Sequence, residues 1–465
     1  MKVNVTLNRQ MFELSRELEF FTEKELMMQI GHPKSYWRIS LLKELIDNSL
    51  DACEVSDIKP EITVEDTEDH FSVTDNGPGL PFSTIKKSLD YMVRISDKQY
   101  YVSPTRGQMG NALKTVWAAP FVALGEGEVT VESRGKRHVI KTSLDRIMAK
   151  PQMDFRSSDG PIKNGTKVSV RWPLSSRLQD EKTSDSYNSP ESEEDEDGLP
   201  RRASGSNYDG TWPAEKPDLI TSGELIAHYA LFNPHATFHF NGKSYPASVA
   251  TWAKWRTDNP TSAHWYNEFQ LRDLIAAYLL IERKDKNKAK TVREFVTEFR
   301  GLSGTAKGAE IIKGFKGTYL HDLMKNGDVD MAVIKKLLQA MRDHSKPVKP
   351  YQMGLVGGDH LKGWAAANIG VVPESFQYGK CQGVDATGLP YTQEALFALK
   401  SDTEKAHRSV ITGLNWSPTI GDPVEEISEA VGSARIGRDK PVLLIIHMIQ
   451  PRFAFTNRGK TRLSL

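Results

Sequence analysis

The sequence predicts a mixed α/β (α+β) fold, and three observations carry that expectation. The chain has 465 residues, 38% of them hydrophobic, which is enough for several apolar cores and roughly two to four domains. Short alternating segments such as Ile62-Thr-Val64 and Phe71-Ser-Val73 interleave with longer helical patterns, as in an α/β sandwich. A Ser-, Asp-, Pro- and Gly-rich tract over 176–217 interrupts this order, with the acidic run Glu191-Ser-Glu-Glu-Asp-Glu-Asp197 inside it. It carries too little apolar surface to offset the entropy of ordering and is expected to be a disordered insertion.

Taken in order, residues 11–30 read as a helical entry and 38–54 as a helix. Strands follow at Ile62–Val64 and Phe71–Val73, then a helix and polar loop over 82–106, then a helix over 111–119. Val129–Val131, His138–Ile140 and Lys167–Trp172 alternate as strands. Beyond the insertion, Ile220–Phe232 reads as a helix and Asn233–Phe240 as a turn into a strand. Residues 262–345 are expected to be mostly helical, with their core in Phe269–Ile281, Val292–Phe299 and Ala306–Phe315. The last part returns to mixed α/β, with Val442–Ile446 as a buried strand.

The bulk numbers exclude several classes. A formal net charge of +1 rules out a globally basic surface, so any nucleic-acid contact must be a local patch. Two cysteines, Cys53 and Cys381, make neither a disulfide framework nor a metal cluster, and a reducing cytoplasm is the expected setting, nucleoid-associated if the cell is prokaryotic. No apolar run approaches the ~18 residues that a membrane span needs.

Four motifs carry chemistry. Glu44-Leu-Ile-Asp-Asn48-Ser-Leu-Asp51-Ala spaces Glu44, Asn48 and Asp51 along one helix face. Asp75-Asn-Gly77-Pro-Gly79 pairs a carboxylate with a glycine turn. Arg106-Gly107-Gln108-Met109-Gly110-Asn111-Ala112 is a glycine-rich loop running into a helix, and Asn164-Gly165-Thr166 precedes a strand. In that order they supply a carboxylate base, a metal-binding amide, an acidic reader of a base and a loop whose N–H groups suit phosphates.

Together these motifs resemble the Bergerat-fold ATP site shared by gyrase B, the large ATP-driven heat-shock chaperone, histidine kinases and MutL. Glu44–Ala52 with Asp75-Asn-Gly-Pro-Gly-Leu-Pro81 most resembles the B subunit of topoisomerase VI. So do Ser96-Asp-Lys98, Ser103–Gly110, Asn233-Pro-His-Ala-Thr237, the helical stretch Thr291–Lys307, and Phe455-Thr-Asn-Arg-Gly-Lys460. The resemblance implies an ATP-binding sandwich over 1–250, a helix-two-turn-helix insert over 251–345 and a transducer-type α/β domain over 346–465. It further implies an ATP-gated dimer whose residues 1–30 reach across to the other subunit, a DNA duplex as cargo, and a separate DNA-cleaving A-type subunit.

The same resemblance assigns roles. Glu44 is the expected general base, and Lys460 the expected cation on the γ-phosphate. Asn48 would give one oxygen to Mg²⁺. Asp75 would accept from the adenine amino group, with Thr166 supporting the contact and Gly77 and Gly79 turning the chain beside the base. Gly107, Gln108, Met109, Gly110, Asn111, Ala112 and Lys98 would meet the phosphates. Asp51 has two readings, a water-mediated contact or a brace for the helix. Three features depart from the family: Ala112 stands where a further glycine is usual, the acidic insertion is atypical, and the sequence stops at Leu465, before the long helix that docks on the A-type partner.

Other motifs are weaker. Gly301-Leu-Ser-Gly-Thr-Ala-Lys307 does not fit a P-loop and reads as a helical-hairpin turn. Asp328 and Asp330 read as a turn or cap, and His235 and His239 as structural histidines lacking a third ligand. Arg283–Lys290 is a basic stretch read as a solvated loop, and Trp252 and Trp255 read as core aromatics. With no second carboxylate cluster, the chain is not expected to cut DNA alone. The alternative function is a stand-alone ATPase switch in DNA repair or phage defence, without strand passage. A histidine kinase fits poorly for want of a phosphoacceptor helix.

Overall fold

The computed structural model describes residues 21–91, 100–106, 112–145, 150–173, 220–315, 318–325, 327–402, 407–421, 436–437 and 439–455. The 1–20 part of the expected cross-subunit arm, the 176–217 insertion, Lys98, Gly107 to Asn111 and Lys460 fall outside them.

The first unit is a two-layer sandwich. Its sheet contains β1 (Glu61–Asp66), β2 (His70–Asp75), β3 (Gly127–Ser133), β4 (Lys136–Asp145), β5 (Lys150–Asp159), β6 (Thr166–Arg171), β7 (Thr237–Phe240) and β8 (Lys243–Tyr245), in the order β5-β4-β3-β6-β2-β1-β7-β8. All neighbours are antiparallel except β1 and β7, which run parallel. Strict alternation turns Ile62, Val64, Phe71, Val73, Val129, Val131, Val168 and Val170 to one face, where they are buried. The opposite face carries ion pairs such as Lys167 with Glu65 and Lys141 with Glu128.

Helices α1 (Glu23–Ile30), α2 (Trp37–Val55), α3 (Phe82–Ser88), α4 (Ala112–Leu124) and α5 (Ser222–Phe232) belong to this unit. Their apolar stripes, including Leu41, Leu42, Leu45, Ile46, Leu50, Val116, Trp117, Leu225 and Ile226, share one core with the sheet. α5 begins with a capping box, in which Thr221 and Glu224 satisfy each other's backbone N–H groups. α4 runs five residues beyond the expected end at 119, and Pro120 lies inside it. Strand β5 went unpredicted. It is an edge strand with little apolar content, and its pairing with β4 is a tertiary fact that no local pattern announces.

A second core gathers α6 (Glu268–Lys284), α7 (Val292–Thr297), α8 (Thr305–Ile311) and α9 (Met331–Asp343). α6 buries Leu271, Leu274, Ile275 and Leu279. The expected core range is therefore too wide: Phe269, Leu280 and Ile281 are exposed, because a helix turns only one stripe inward. Asp330 caps α9, its carboxylate accepting from Ala332 N–H at 2.9 Å. Trp255 lies in this core, as the aromatic reading expected.

The third core covers α10 (Gly358–Asn368) and a sheet of β11 (Gln377–Val384), β12 (Pro390–Leu399), β13 (Ser409–Leu414), β14 (Ser417–Pro418) and β15 (Val442–Ile449), in the order β11-β12-β15-β13-β14. β15 is central, as its apolar run predicts. α5 serves two cores: Leu225, Ile226 and Tyr229 pack in the first, and Leu231 and Phe232 in the third. The fit is close, since a Cβ at Gly413 of β13 would lie 2.7 Å from the Phe232 ring.

Candidate nucleotide site

Helix α2 and the end of β2 position the site. Asp75, the last residue of β2, is 8% exposed and sits behind α2. Its Oδ1 accepts from Gly77 N–H at 2.9 Å and Thr166 N–H at 3.2 Å, and its Oδ2 accepts from the Ser49 hydroxyl of α2 at 3.1 Å. Burial raises the Asp75 carboxyl above the ordinary carboxylate range, and these three donors pull it back. Ser49 thus links the expected base reader to the helix bearing Glu44 and Asn48. Sequence reading missed Ser49, although it lies inside the Glu44–Ala52 motif.

The glycines are required by close approach. Gly165 has φ +80°, and a Cβ there would stand 1.9 Å from the Asp75 carbonyl oxygen. Gly79 has φ +82°, and its Cβ would meet Ser133 Oγ at 2.8 Å. Leu80 N–H donates both to Ser133 Oγ at 2.9 Å and to Thr166 Oγ1 at 3.0 Å. The Thr166 side chain therefore holds the glycine turn, while its backbone holds Asp75. Gly165→Ala is expected to destabilise the protein by more than about 2 kcal/mol, because positive φ and backbone collision act together. Urea denaturation checks this, and an unchanged midpoint would show that the loop relaxes freely.

Cys53 lies beneath the turn, its thiol donating to Asn76 Oδ1 at 3.4 Å. Burial first, then Asp75 and Glu54, push the thiol up to about 12, so it is an inert wall.

Glu44 and Asn48 are both half-buried and one turn apart on α2. Among the described residues no group of three His, Cys, Asp or Glu side chains could hold a metal ion alone. A Mg²⁺ with Asn48 as its protein ligand would take its other oxygens from nucleotide and water, which suits an ion that keeps much of its hydration. Ala112 opens α4 directly after the glycine loop.

The next stripe of α2 is acidic and buried. Asp51 accepts from Arg106 Nη1 at 2.8 Å, and Glu54 takes Arg106 in a fork at 3.0 and 3.1 Å. Arg106 also donates to Asn233 Oδ1, and its Nε faces Asp47 at 4.0 Å. Lys254 Nζ reaches Glu54 at 2.5 Å, and His235 Nε2 lies 3.0 Å from the same carboxylate. Asp47 accepts from Tyr229 at 2.8 Å and Lys43 at 2.9 Å, and Ser417 of β14 donates to it at 2.8 Å. Asn233 passes the network on, donating to the Trp416 carbonyl at 2.9 Å.

Burial alone would raise Glu54, but Arg106, Lys254 and His235 hold it well below the usual range. Burial lowers Lys254 to about 8, with Arg106 adding to the effect and Glu54 opposing it. The pair is ionised at neutral pH, and raising the pH removes the Lys254 proton more readily than that of an ordinary lysine. Sequence reading did not foresee that Lys254 would pair with Glu54, or that Arg106 would be buried.

The family model described as histidine kinase-, DNA gyrase B-, and HSP90-like ATPase matches residues 39–176, which span α2, Asp75 and Thr166. This chain carries an ATPase domain of that family. The ATPase domain's match includes the first six strands of the eight-stranded sheet. The B subunit of type 2 DNA topoisomerase 6 from Archaeoglobus fulgidus is 34% identical over 131 residues, 26% of this chain and 21% of that protein. Its counterpart from Thermococcus gammatolerans is 31% identical over 157 residues, 32% of this chain and 26% of that protein. The chain thus aligns with about a quarter or less of the length of these curated relatives. Among solved structures, the ATPase domain of the mismatch repair endonuclease MutL from Aquifex aeolicus matches at TM-score 0.32 and 12% identity, covering 90% of this chain and 91% of that one. The mixed α/β class and the ATPase family expected from the motifs both hold. No helix among the described residues is long and apolar enough to cross a membrane.

Proposed function

We propose that this chain binds ATP with Mg²⁺ and hydrolyses it, and works as a nucleotide-gated dimeric clamp like the B subunit of topoisomerase VI. In this reading residues 1–250 hold the nucleotide, 251–345 form a helix-two-turn-helix insert and 346–465 act as transducer. The clamp couples ATP to DNA strand passage performed with a separate DNA-cleaving A-type subunit. The observation that carries the nucleotide assignment is the tie from Asp75 through Ser49 to α2, which bears Glu44 and Asn48.

Asp75 accepts the adenine amino group, and guanine presents an oxygen there that a carboxylate repels. Glu44 orients and deprotonates the attacking water, and Asn48 holds the cation. Gly107 to Asn111, Ala112 at the start of α4, and Lys98 bind phosphates, and Lys460 neutralises the γ-phosphate.

Equilibrium titration tests the base reader. ATP is expected to bind at least about 100-fold more tightly than GTP, since a buried hydrogen-bonding group discriminates strongly against a mismatched partner. Equal affinities would remove Asp75 from the assignment. The relatives' name supports the strand-passage part, and relaxation of supercoiled DNA with an added A-type subunit tests it.

A further inference from the structure

Residues 100–106 run between two bodies of the protein and are fastened to both. At one end Val102 is buried in the core of α6 to α9, not in that of the first sheet. Both of its backbone polar groups are taken by side chains of that helical unit. Its N–H donates to Tyr266 Oη at 2.9 Å, and its C=O accepts from Thr261 Oγ1 at 2.7 Å. Beside it the Tyr101 hydroxyl meets that of Tyr278, which donates to Glu298 at 2.7 Å. Lys290 pairs with Glu298 and stands 4.2 Å from the Tyr278 ring centroid.

At the other end Arg106 grips Asp51 and Glu54, about one and two turns along α2 from Asn48. The residues between are buried as well, with Ser103 6% and Thr105 8% exposed. Few residues, all packed, leave little slack, and a close-packed interior passes displacement on rather than absorbing it. A planar guanidinium forked onto a carboxylate fixes direction as well as distance.

We infer that Tyr101–Arg106 is a strap through which the helical unit sets the placement of α2, with Thr261 and Tyr266 as positioning residues for ATP hydrolysis. This rests on the ATPase reading above. Neither side chain hydrogen-bonds to α2. They act through Val102 and Arg106 on the helix that presents Glu44 and Asn48.

The test is the full chain carrying Tyr266→Phe and Thr261→Val, which removes both hydroxyls and keeps the bulk. Hydrogen exchange at Val102 reports release of the strap, and exchange at residues 47–55 reports α2. Both are expected to quicken by about tenfold. ATP turnover is expected to fall at least ~5-fold while ADP affinity stays within ~2-fold, because alignment is lost and the base pocket is not. Thr261→Ser, which keeps the hydroxyl, is expected to behave as the parent. Released Val102 with unchanged α2 exchange and unchanged turnover overturns the inference. So does a joint loss of turnover, ADP affinity and melting temperature, which marks a general folding role. If the double variant does not fold, Tyr278→Phe loosens the neighbouring fastening and is read the same way. If the parent chain itself turns over no ATP, the ATPase reading fails, while the exchange measurements still decide the strap.

Discussion

Replacing Glu44 with alanine is expected to lower ATP turnover by about 100-fold or more while nucleotide affinity changes little. A positioned general base contributes roughly 10² to 10⁴ in rate. Glu44 lies on the same α2 face as Asn48 and is half-buried, whereas the proposed adenine reader is Asp75, held by its three donors. On the proposed roles, the substitution removes a group needed in the transition state and leaves ground-state binding intact. Single-turnover kinetics with saturating ATP separate the two. Unchanged hydrolysis in Glu44→Ala would mean that another group activates the water. Equal loss of binding and turnover would mean that Glu44 shapes the pocket.

Replacing Arg106 with methionine is expected to destabilise the protein by about 3–5 kcal/mol, the usual consequence of stripping the partner from buried charges. The side chain is fully buried and serves Asp51 and Glu54 at once. Methionine fills much of the volume and leaves both carboxylates without their main counter-charge, and Lys254 alone cannot make up Asp51's share of the deficit. Chemical denaturation measures the effect, and a loss below about 1 kcal/mol would show that the carboxylates find water or protonate at little cost. The acid response follows from the same cluster. Glu54 is held well below its ordinary value, so it binds fewer protons folded than unfolded. Its stabilisation is complete above its unfolded range, near pH 4.5, and is lost as the pH falls toward the folded value. Arg106→Met is expected to blunt that acid dependence.

What the sequence revealed and what it hid divide along a physical line. α2, β1, β2, β15 and the Asp75 turn were legible because periodicity and turn chemistry are local. Ser49 was half-legible, sitting in the motif but on the face that meets Asp75. Arg106 was read only as the residue before a glycine loop, because nothing nearby shows that Asp51, Glu54 and Asn233 converge on it. Val102 is similar: its partners, Tyr266 and Thr261, lie more than 150 residues away. β5 escaped because an edge strand needs little apolar content of its own. Trp416 adds a residue that no pattern predicts, holding φ +71° in the β13–β14 turn with its N–H on His447 Nε2 at 3.3 Å.

The parallel pairing of β1 with β7 also governs the order of events during synthesis. Glu61 is registered against Thr237, so one side of β1 stays open until the ribosome has released about half the protein. Until then β2 covers one edge of the strand, and the other shows bare N–H and C=O groups flanked by Ile62 and Val64. An open apolar edge is a template for pairing with another chain. Truncations ending before Thr237 are therefore expected to aggregate, and slow translation across the acidic tract would prolong that exposure in the nascent polypeptide.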